Sequence, residues 1–463
     1  MNFTDFVSSR RVIRSLAILA LSAFPPIARA GTYTELYNFN CATDGCNPGM
    51  PALMAQGWDG VLYGTLQSGT SISSYGTVFS FAPPAGFTTL YRFNGDDGYG
   101  PQSGLTLGFD GAFYGTTTNG GSQRKGTAFK LSGGSVSVLH EFSDGSDGAY
   151  PWAPPVQTPD GNLYGVTDTG SNPGRVYKIA PSGKFSVIAT LPSKTQAPLV
   201  MANDGNFYGT TMGGGDFNAG TVFRLSTRGK LKIVHSFDPS TEGTTPIGPV
   251  MQAADGKFYG TTSADGTANQ GTVYQLSANG AFAILHNFQT TKEGSYSLAG
   301  FVQGSDNDLY SVTSAGGING YGTLYKINTT GTRLTALHQF DYPTGAYPEA
   351  TLTLDTSGII YGLAAKGGSL NGADGVLFSY DGGLKPFAAL TLWAGAPGTT
   401  IGILGQGFSG ATGVDFGSVA ASFTVASDTY ITATVPSGAA TAKVTVLAPG
   451  GNLTTLRKFK VLP

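Results

Sequence analysis

Histidine, cysteine and charge are all scarce in this chain of 463 residues, which has four His, two Cys and only 12% charged side chains. Two cysteines do not by themselves make a structural zinc site, and no histidine stands near the pair. No cluster of Lys and Arg is present to track a phosphate backbone, so nucleic acid is not an expected partner. Beyond residue 30 no apolar run approaches the roughly 20 residues needed to span a bilayer, and no transmembrane anchor is expected. What abounds is glycine, at 70 residues, beside 22 Tyr and 28 Phe. With 40% apolar residues the chain is too hydrophobic for disorder. Many tight turns between short apolar strands account for both numbers.

Residues 1–30 run from Arg10, Arg11 and Arg14 through an apolar stretch, Leu16 to Phe24, to Pro25, Pro26 and the small-residue site Ala28-Arg29-Ala30. This order predicts a signal peptide cleaved after Ala30, hence an exported protein, extracellular, surface-displayed or periplasmic. Ser9-Arg10-Arg11-Val12-Ile13 fits a twin-arginine signal or a chance Arg pair equally well. The mature chain would carry 22 basic and 27 acidic residues, a net charge of −5. In an oxidising compartment Cys41 and Cys46 are expected to form a local disulfide.

The chain repeats itself. Tyr63, Tyr114, Tyr164, Tyr208, Tyr259, Tyr310 and Tyr361 follow one another at spacings of 51, 50, 44, 51, 51 and 51, each followed by Gly except at Ser311. An Asp-Gly dipeptide precedes most of these anchors (Asp59-Gly60, Asp110-Gly111, Asp160-Gly161, Asp204-Gly205, Asp255-Gly256) and predicts a two-residue hairpin turn. The sixth and seventh copies read as Asn307-Asp308 and Ser357-Gly358. A third strand follows in forms such as Gly220-Thr-Val-Phe223, and a fourth ends in Leu-x-x-Phe, as at Leu285 to Phe288. Four short strands per roughly 50 residues is the unit of a propeller blade, so seven anchors predict a seven-bladed β-propeller. A spare fourth strand, Leu36-Tyr-Asn-Phe39, offers ring closure, with the stretch from Lys385 to Leu390 as its competitor.

The ordered elements Asp-Gly-x-x-Tyr-Gly-Thr-Thr, a Gly-Gly loop, Gly-Thr-Val-Phe and Leu-His-x-Phe resemble the tandem repeat of the GloVer (Gloeo-Verruco) family of exported bacterial proteins. The resemblance spans residues 31–388. It implies export and brings no catalytic residues. From 389 to 463 the period stops, and strands around Ile401, Val414-Asp-Phe-Gly417, Ile431-Thr-Ala-Thr-Val435 and Val444-Thr-Val446 predict a small β-sandwich. That stretch resembles an IPT/TIG domain, an immunoglobulin-like module that implies a spacer or a second contact surface.

Chemistry-bearing residues are absorbed by the repeat. His140, His235, His286 and His338 share one repeat position, which Tyr37 and Tyr91 fill in other copies. A flat amphipathic ring packed between blades is expected there rather than a catalytic or metal-binding histidine. Asp96-Asp97-Gly98, Asp144 to Gly148, Glu242-Gly243 and Glu293-Gly294 lack the longer ligand series of a calcium loop and read as solvated turns. The Gly-Gly loops lack the Lys and helix of a phosphate cradle. No catalytic residue, metal or cofactor is expected.

In a propeller the second-to-third and fourth-to-first connections emerge at one end, and here those are the long ones. Binding is expected on such loops. Tyr99, Tyr150, Trp152, Tyr296 and Tyr347 fall there and predict an aromatic mouth for a glycan or a peptide. The expected function is non-enzymatic binding or surface interaction with a glycan or an extracellular protein. A polysaccharide lyase or hydrolase, and a purely structural envelope component, are the alternatives. An enzyme would need two converging carboxylates.

Overall fold

The computed structural model describes residues 31–50, 52–68, 75–83, 86–168, 173–289, 292–370 and 374–463; the expected signal peptide lies outside these. The protein is a seven-bladed β-propeller followed by an immunoglobulin-like sandwich, each blade an antiparallel sheet of four strands. Among the described residues no helix is long and apolar enough to cross a membrane. Blades 1 to 6 are consecutive meanders, for example Met251–Gln252, Phe258–Thr262, Thr272–Leu276 and Phe282–Asn287 in blade 5. Blade 7 takes three strands from Thr353 to Asp381 and its outermost from the N-terminus: Thr32–Asn38 pairs with Val376–Asp381. Ala389–Leu390, the competing segment, belongs to the C-terminal sandwich instead.

Each recurring motif has a packing reason. The Gly after the anchor Tyr makes room for the third-strand aromatic. A Cβ on Gly209 would come within 2.6 Å of the Phe223 ring, and one on Gly260 within 2.4 Å of the Tyr274 hydroxyl. In blade 6 Ser311 spends its hydroxyl on the Gly300 carbonyl, 2.9 Å away. Buried threonines join the second and third strands through paired hydroxyls, as in Thr211–Thr221 at 2.7 Å and Thr262–Thr272 at 2.9 Å.

The turn before the anchor differs from expectation. Gly60 N donates to Gly57 O and Gly57 N to Val61 O, a three-residue loop with only Gly60 left-handed (φ 80°), not a two-residue turn. This is a type I turn closed by a glycine bulge. The Asp supplies two contacts: Asp59 accepts from Val61 N at 3.1 Å and from Tyr63 Oη at 2.7 Å. In the sixth copy the equivalent pair is Asp306-Asn307, one residue earlier than the sequence suggested, with Asn307 at φ 67° and Asp306 accepting from Tyr310 at 2.8 Å.

Glutamines on the innermost strands clamp neighbouring blades. Gln56, Gln157, Gln252 and Gln303 each accept from a turn amide of the preceding blade, at Thr356, Phe109, Asn203 and Ala254 respectively, over 2.8–3.1 Å. Each also donates to a carbonyl of its own turn. Gln56 thereby joins blade 1 to blade 7 across the closure of the ring.

The C-terminal sandwich packs Ile403, Val414, Phe416, Ile431, Val444 and Phe459 between two four-stranded sheets. It rests on the tight-turn end of the propeller. Trp58 of blade 1 stacks on Tyr430 (centroids 4.4 Å, planes 9° apart), Phe109 of blade 2 joins the sandwich core, and Arg457 reaches Asn203 and Gln252 of blades 4 and 5.

Candidate ligand-binding face

The tight-turn end being covered, the opposite end is where side chains stay open. Among the described residues ten large hydrophobics are exposed, and eight of them (Tyr75, Tyr99, Phe217, Tyr296, Ile318, Tyr342, Tyr347, Leu370) lie on long-loop connections; only Val138 and Val187 sit on outermost strands. Scattered exposed hydrophobics need no explanation, but their confinement to one end does.

The five aromatics expected to form a mouth are placed separately. Tyr99 meets Tyr75 edge to face (centroids 5.8 Å, planes 88° apart), and Tyr347 meets Tyr321, which also contacts Tyr342. Tyr150 is half-buried, its hydroxyl 3.0 Å from Lys125 Nζ, which also pairs with Asp144 at 2.7 Å. Trp152 is half-buried and Tyr296 is exposed. No ring contact joins any two of the five, and none is among the residues lining the central channel. One pair, Tyr75 with Tyr99, and one triplet, Tyr321 with Tyr342 and Tyr347, form at this end; among the described residues Tyr150, Trp152 and Tyr296 have no ring partner.

Three of these tyrosines share a backbone feature that the sequence did not reveal. Tyr150, Tyr296 and Tyr347 hold left-handed φ values of 51°, 53° and 54°, where Asn47, Gly100 and Thr245 stand in other copies. Such a conformation is strained for a bulky side chain and persists where its surroundings over-determine it. Here both backbone groups are tied: Tyr347 N donates to Tyr321 O at 3.0 Å and Ala365 N to Tyr347 O at 3.2 Å.

A cleft of about 420 Å³ on this face lies between blades 1 and 2 and is lined by Tyr75, Tyr99, Asn94, Asp96, Asn119 and Arg124. Two exposed aromatic faces beside a carboxylate, two carboxamides and a guanidinium can stack an apolar ring face and hydrogen-bond hydroxyls around it. Among the described residues Asp96 and Arg124 form no ion pair.

The acidic links are not merely solvated turns. His140 pairs with Asp147 (3.1 Å), His235 with Glu242 (2.8 Å) and His286 with Glu293 (2.8 Å), while Tyr37 and Tyr91 use Asp44 and Asp97 in the same way. Each His–acid pair spans seven residues across a connection, so the two halves read as unrelated in sequence. The ring faces pack against the next blade: His140 on Phe185, His235 on Phe282 and His338 on Tyr33, all with centroids 3.7 Å apart. Burial holds His140 below the usual imidazole range and His338 down to about 4, favouring the neutral ring. Among the described residues no group of three or more His, Cys, Asp or Glu could hold a metal ion. Cys41 and Cys46 are joined by a disulfide around Asp44.

Glu349 stands two residues after Tyr347, the place that Trp152 holds after Tyr150. Burial raises its carboxyl above the usual range, partly offset by Lys366.

Residues 56–253 and 246–401 match the Gloeobacter/Verrucomicrobia repeat in two successive stretches. The chain belongs to the Gloeobacter/Verrucomicrobia repeat family. As in the sequence-based expectation, this repeat protein ends in an IPT/TIG domain, matched over residues 388–459. It is also similar to the probable rhamnogalacturonases E of Aspergillus oryzae and Aspergillus flavus, each 33% identical over 121 residues, 24% of this chain. Those stretches cover only 27% and 26% of the two relatives. Among solved structures, a fungal alcohol oxidase in complex with copper aligns with a TM-score of 0.49 at 14% identity, over 94% of the repeat protein and 100% of the other chain. A putative gluconolactonase aligns with a TM-score of 0.41 at 10% identity, over 77% and 94%. Neither likeness bears on what the repeat protein does.

Proposed function

We propose that this is an exported, non-enzymatic binding protein whose long-loop face takes a glycan. The observation that carries the reading is the confinement of eight exposed large hydrophobics to that end, two of them lining a cleft with Asp96, Asn94, Asn119 and Arg124. Planar aromatic faces next to amide and carboxylate groups suit the alternating apolar faces and hydroxyl edges of a pyranose better than an extended peptide. Docking on the tight-turn end leaves this end as the one for recognition, and the disulfide agrees with an oxidising compartment.

The test is a glycan array followed by calorimetry on the best hit. Replacing both Tyr75 and Tyr99 by Ala should weaken that hit at least about tenfold, since stacked aromatics dominate such contacts. Unchanged affinity would remove the cleft from the account.

A hydrolase is the second reading, favoured by the local likeness to the probable rhamnogalacturonases and by the raised carboxyl of Glu349, which suits a general acid. Turnover of a pectic polysaccharide, lost in Glu349→Gln, would establish it over simple binding.

A further inference from the structure

One half-buried cation at the junction of the two domains has no acidic partner among the described residues. Arg457, in the loop before the last strand of the C-terminal domain, crosses to the tight-turn end of the propeller, where its Nη2 donates to Asn203 Oδ1 at 3.0 Å and Gln252 Oε1 at 2.9 Å. Both acceptors are neutral. Gln252 already serves as a blade clamp, accepting from Asn203 N at 2.9 Å and donating to Gly256 O at 2.9 Å. Neither Nε nor Nη1 of Arg457 has a protein hydrogen bond, and no carboxylate lies within ion-pair distance among the described residues. Buried guanidinium groups are ordinarily paired with an acid, because desolvating an uncompensated charge is costly. Burial alone pulls Arg457 below the usual guanidinium range.

The same residue lines the central channel, a cavity of about 250 Å³. Its walls are the innermost strands and the residues leading into them, chiefly Val156, Val200, Met251, Phe301 and Val302, and among the described residues Arg457 is the only charged one in the lining. The C-terminal domain touches turns of blades 1 and 2 on one side and 4 and 5 on the other, so it overlies this end of the channel, and Arg457 also lines a cleft at the domain junction beside Asn203, Phe387 and Trp393. An apolar cavity with one cation at the end overlain by the C-terminal domain matches an amphiphile with a single negative head.

The geometry points to a pocket along the propeller axis in which Arg457 receives the carboxylate of a small organic acid and the apolar ring of innermost strands holds its hydrocarbon body. The C-terminal domain is then a component of the site rather than a spacer. A carboxylate supplies the missing counter-charge through a charge-assisted hydrogen bond. A neutral ligand of equal shape would bury against the same walls while leaving the guanidinium unpaired.

Calorimetry of the whole protein with sodium hexanoate and with hexanamide tests this directly. One hexanoate should bind per chain, with hexanamide weaker by at least about tenfold, equivalent to about 1.4 kcal/mol. Arg457→Met should erase that preference. Val302→Phe, which fills the tube and leaves the guanidinium in place, should abolish binding of both ligands even if Arg457→Met loosens the docking of the two domains. The combined Tyr75→Ala and Tyr99→Ala variant should bind hexanoate normally, which separates this pocket from the proposed glycan cleft. Absence of hexanoate binding, equal affinity for the amide, or wild-type binding by Val302→Phe would each overturn the assignment.

Discussion

Tyr33 lies flat on His338, their ring centroids 3.7 Å apart and their planes within 4°, although 305 positions separate them in sequence. The Tyr33 hydroxyl continues to the Thr344 carbonyl at 2.5 Å, and His338 Nε2 meets Thr344 Oγ1 at 3.1 Å. This stack joins the N-terminal strand, the outermost strand of blade 7, to blade 6.

His338 makes the joint sensitive to acid. Burial holds it at about 4, against an ordinary value of 6.5, so the unfolded chain takes up the proton first as pH falls. Its stabilising contribution is therefore fully present above about 6.5 and is lost as pH falls through about 4. After allowance for partial exposure the loss should be about 2 kcal/mol. Urea unfolding at pH 7 and pH 4 measures it, and a His338→Phe variant should show a pH difference smaller by that amount. An identical pH difference in the two proteins would exclude His338 as the titrating group.

Gly209→Ala should destabilise the protein by about 2 kcal/mol, because the new methyl meets the buried Phe223 ring at 2.6 Å in a core without slack. Thermal unfolding provides the comparison. Gly213→Ala in the adjoining loop, whose nearest neighbour would be 3.1 Å away at the Ser193 hydroxyl, should cost less than half as much.

Gln303→Leu removes the clamp between blades 5 and 6 and strands the Ala254 amide and the Asn307 carbonyl. Both groups lie at the exposed surface, where water takes the place of the lost partner, so a loss of only about 0.5–1 kcal/mol is expected, read by denaturant titration. Blades 2, 4 and 7 carry Leu107, Met201 and Leu354 at this position, so the substitution should leave the fold intact and only the midpoint lower. A loss of cooperativity would instead mean that the clamps hold the ring together individually.

The Cys41–Cys46 disulfide closes no long loop, since five positions separate the two residues, and its reduction releases little chain. Dithiothreitol should lower stability by only about 2 kcal/mol, and the far-ultraviolet spectrum should not change.

Much of this architecture was legible because a period of about 50 residues constrains every copy at once. The seven Tyr anchors, the C-terminal sandwich and the role of the histidines as packing rings all follow from residue type and spacing. Pairing between positions was not legible. His235 and Glu242 were both visible, yet the hydrogen bond between them depends on the chain folding back after Phe237, and a one-dimensional pattern carries no such information. The same holds for Gln252, which looks like any polar strand residue until the next blade is beside it. Arg457 occurs once, outside the repeat, and its significance comes wholly from the docking of one domain on another. Tyr75, missed as a cleft residue, stands where Lys125 and Ala219 stand in other copies, and only Tyr321 of blade 6 repeats its ring, too little to mark the position.

Borrowing the outermost strand of blade 7 from Thr32–Asn38 also orders events in time. That segment is among the first to be made, yet its partner ends at Asp381, so its hydrogen-bonding edge waits unpaired while every other blade is completed. Bringing ends so distant together carries a loop-closure penalty and a slow search, both set by topology rather than by local preference. A chain interrupted before Val376 lacks the partner of Thr32–Asn38 and cannot close the ring as the full chain does.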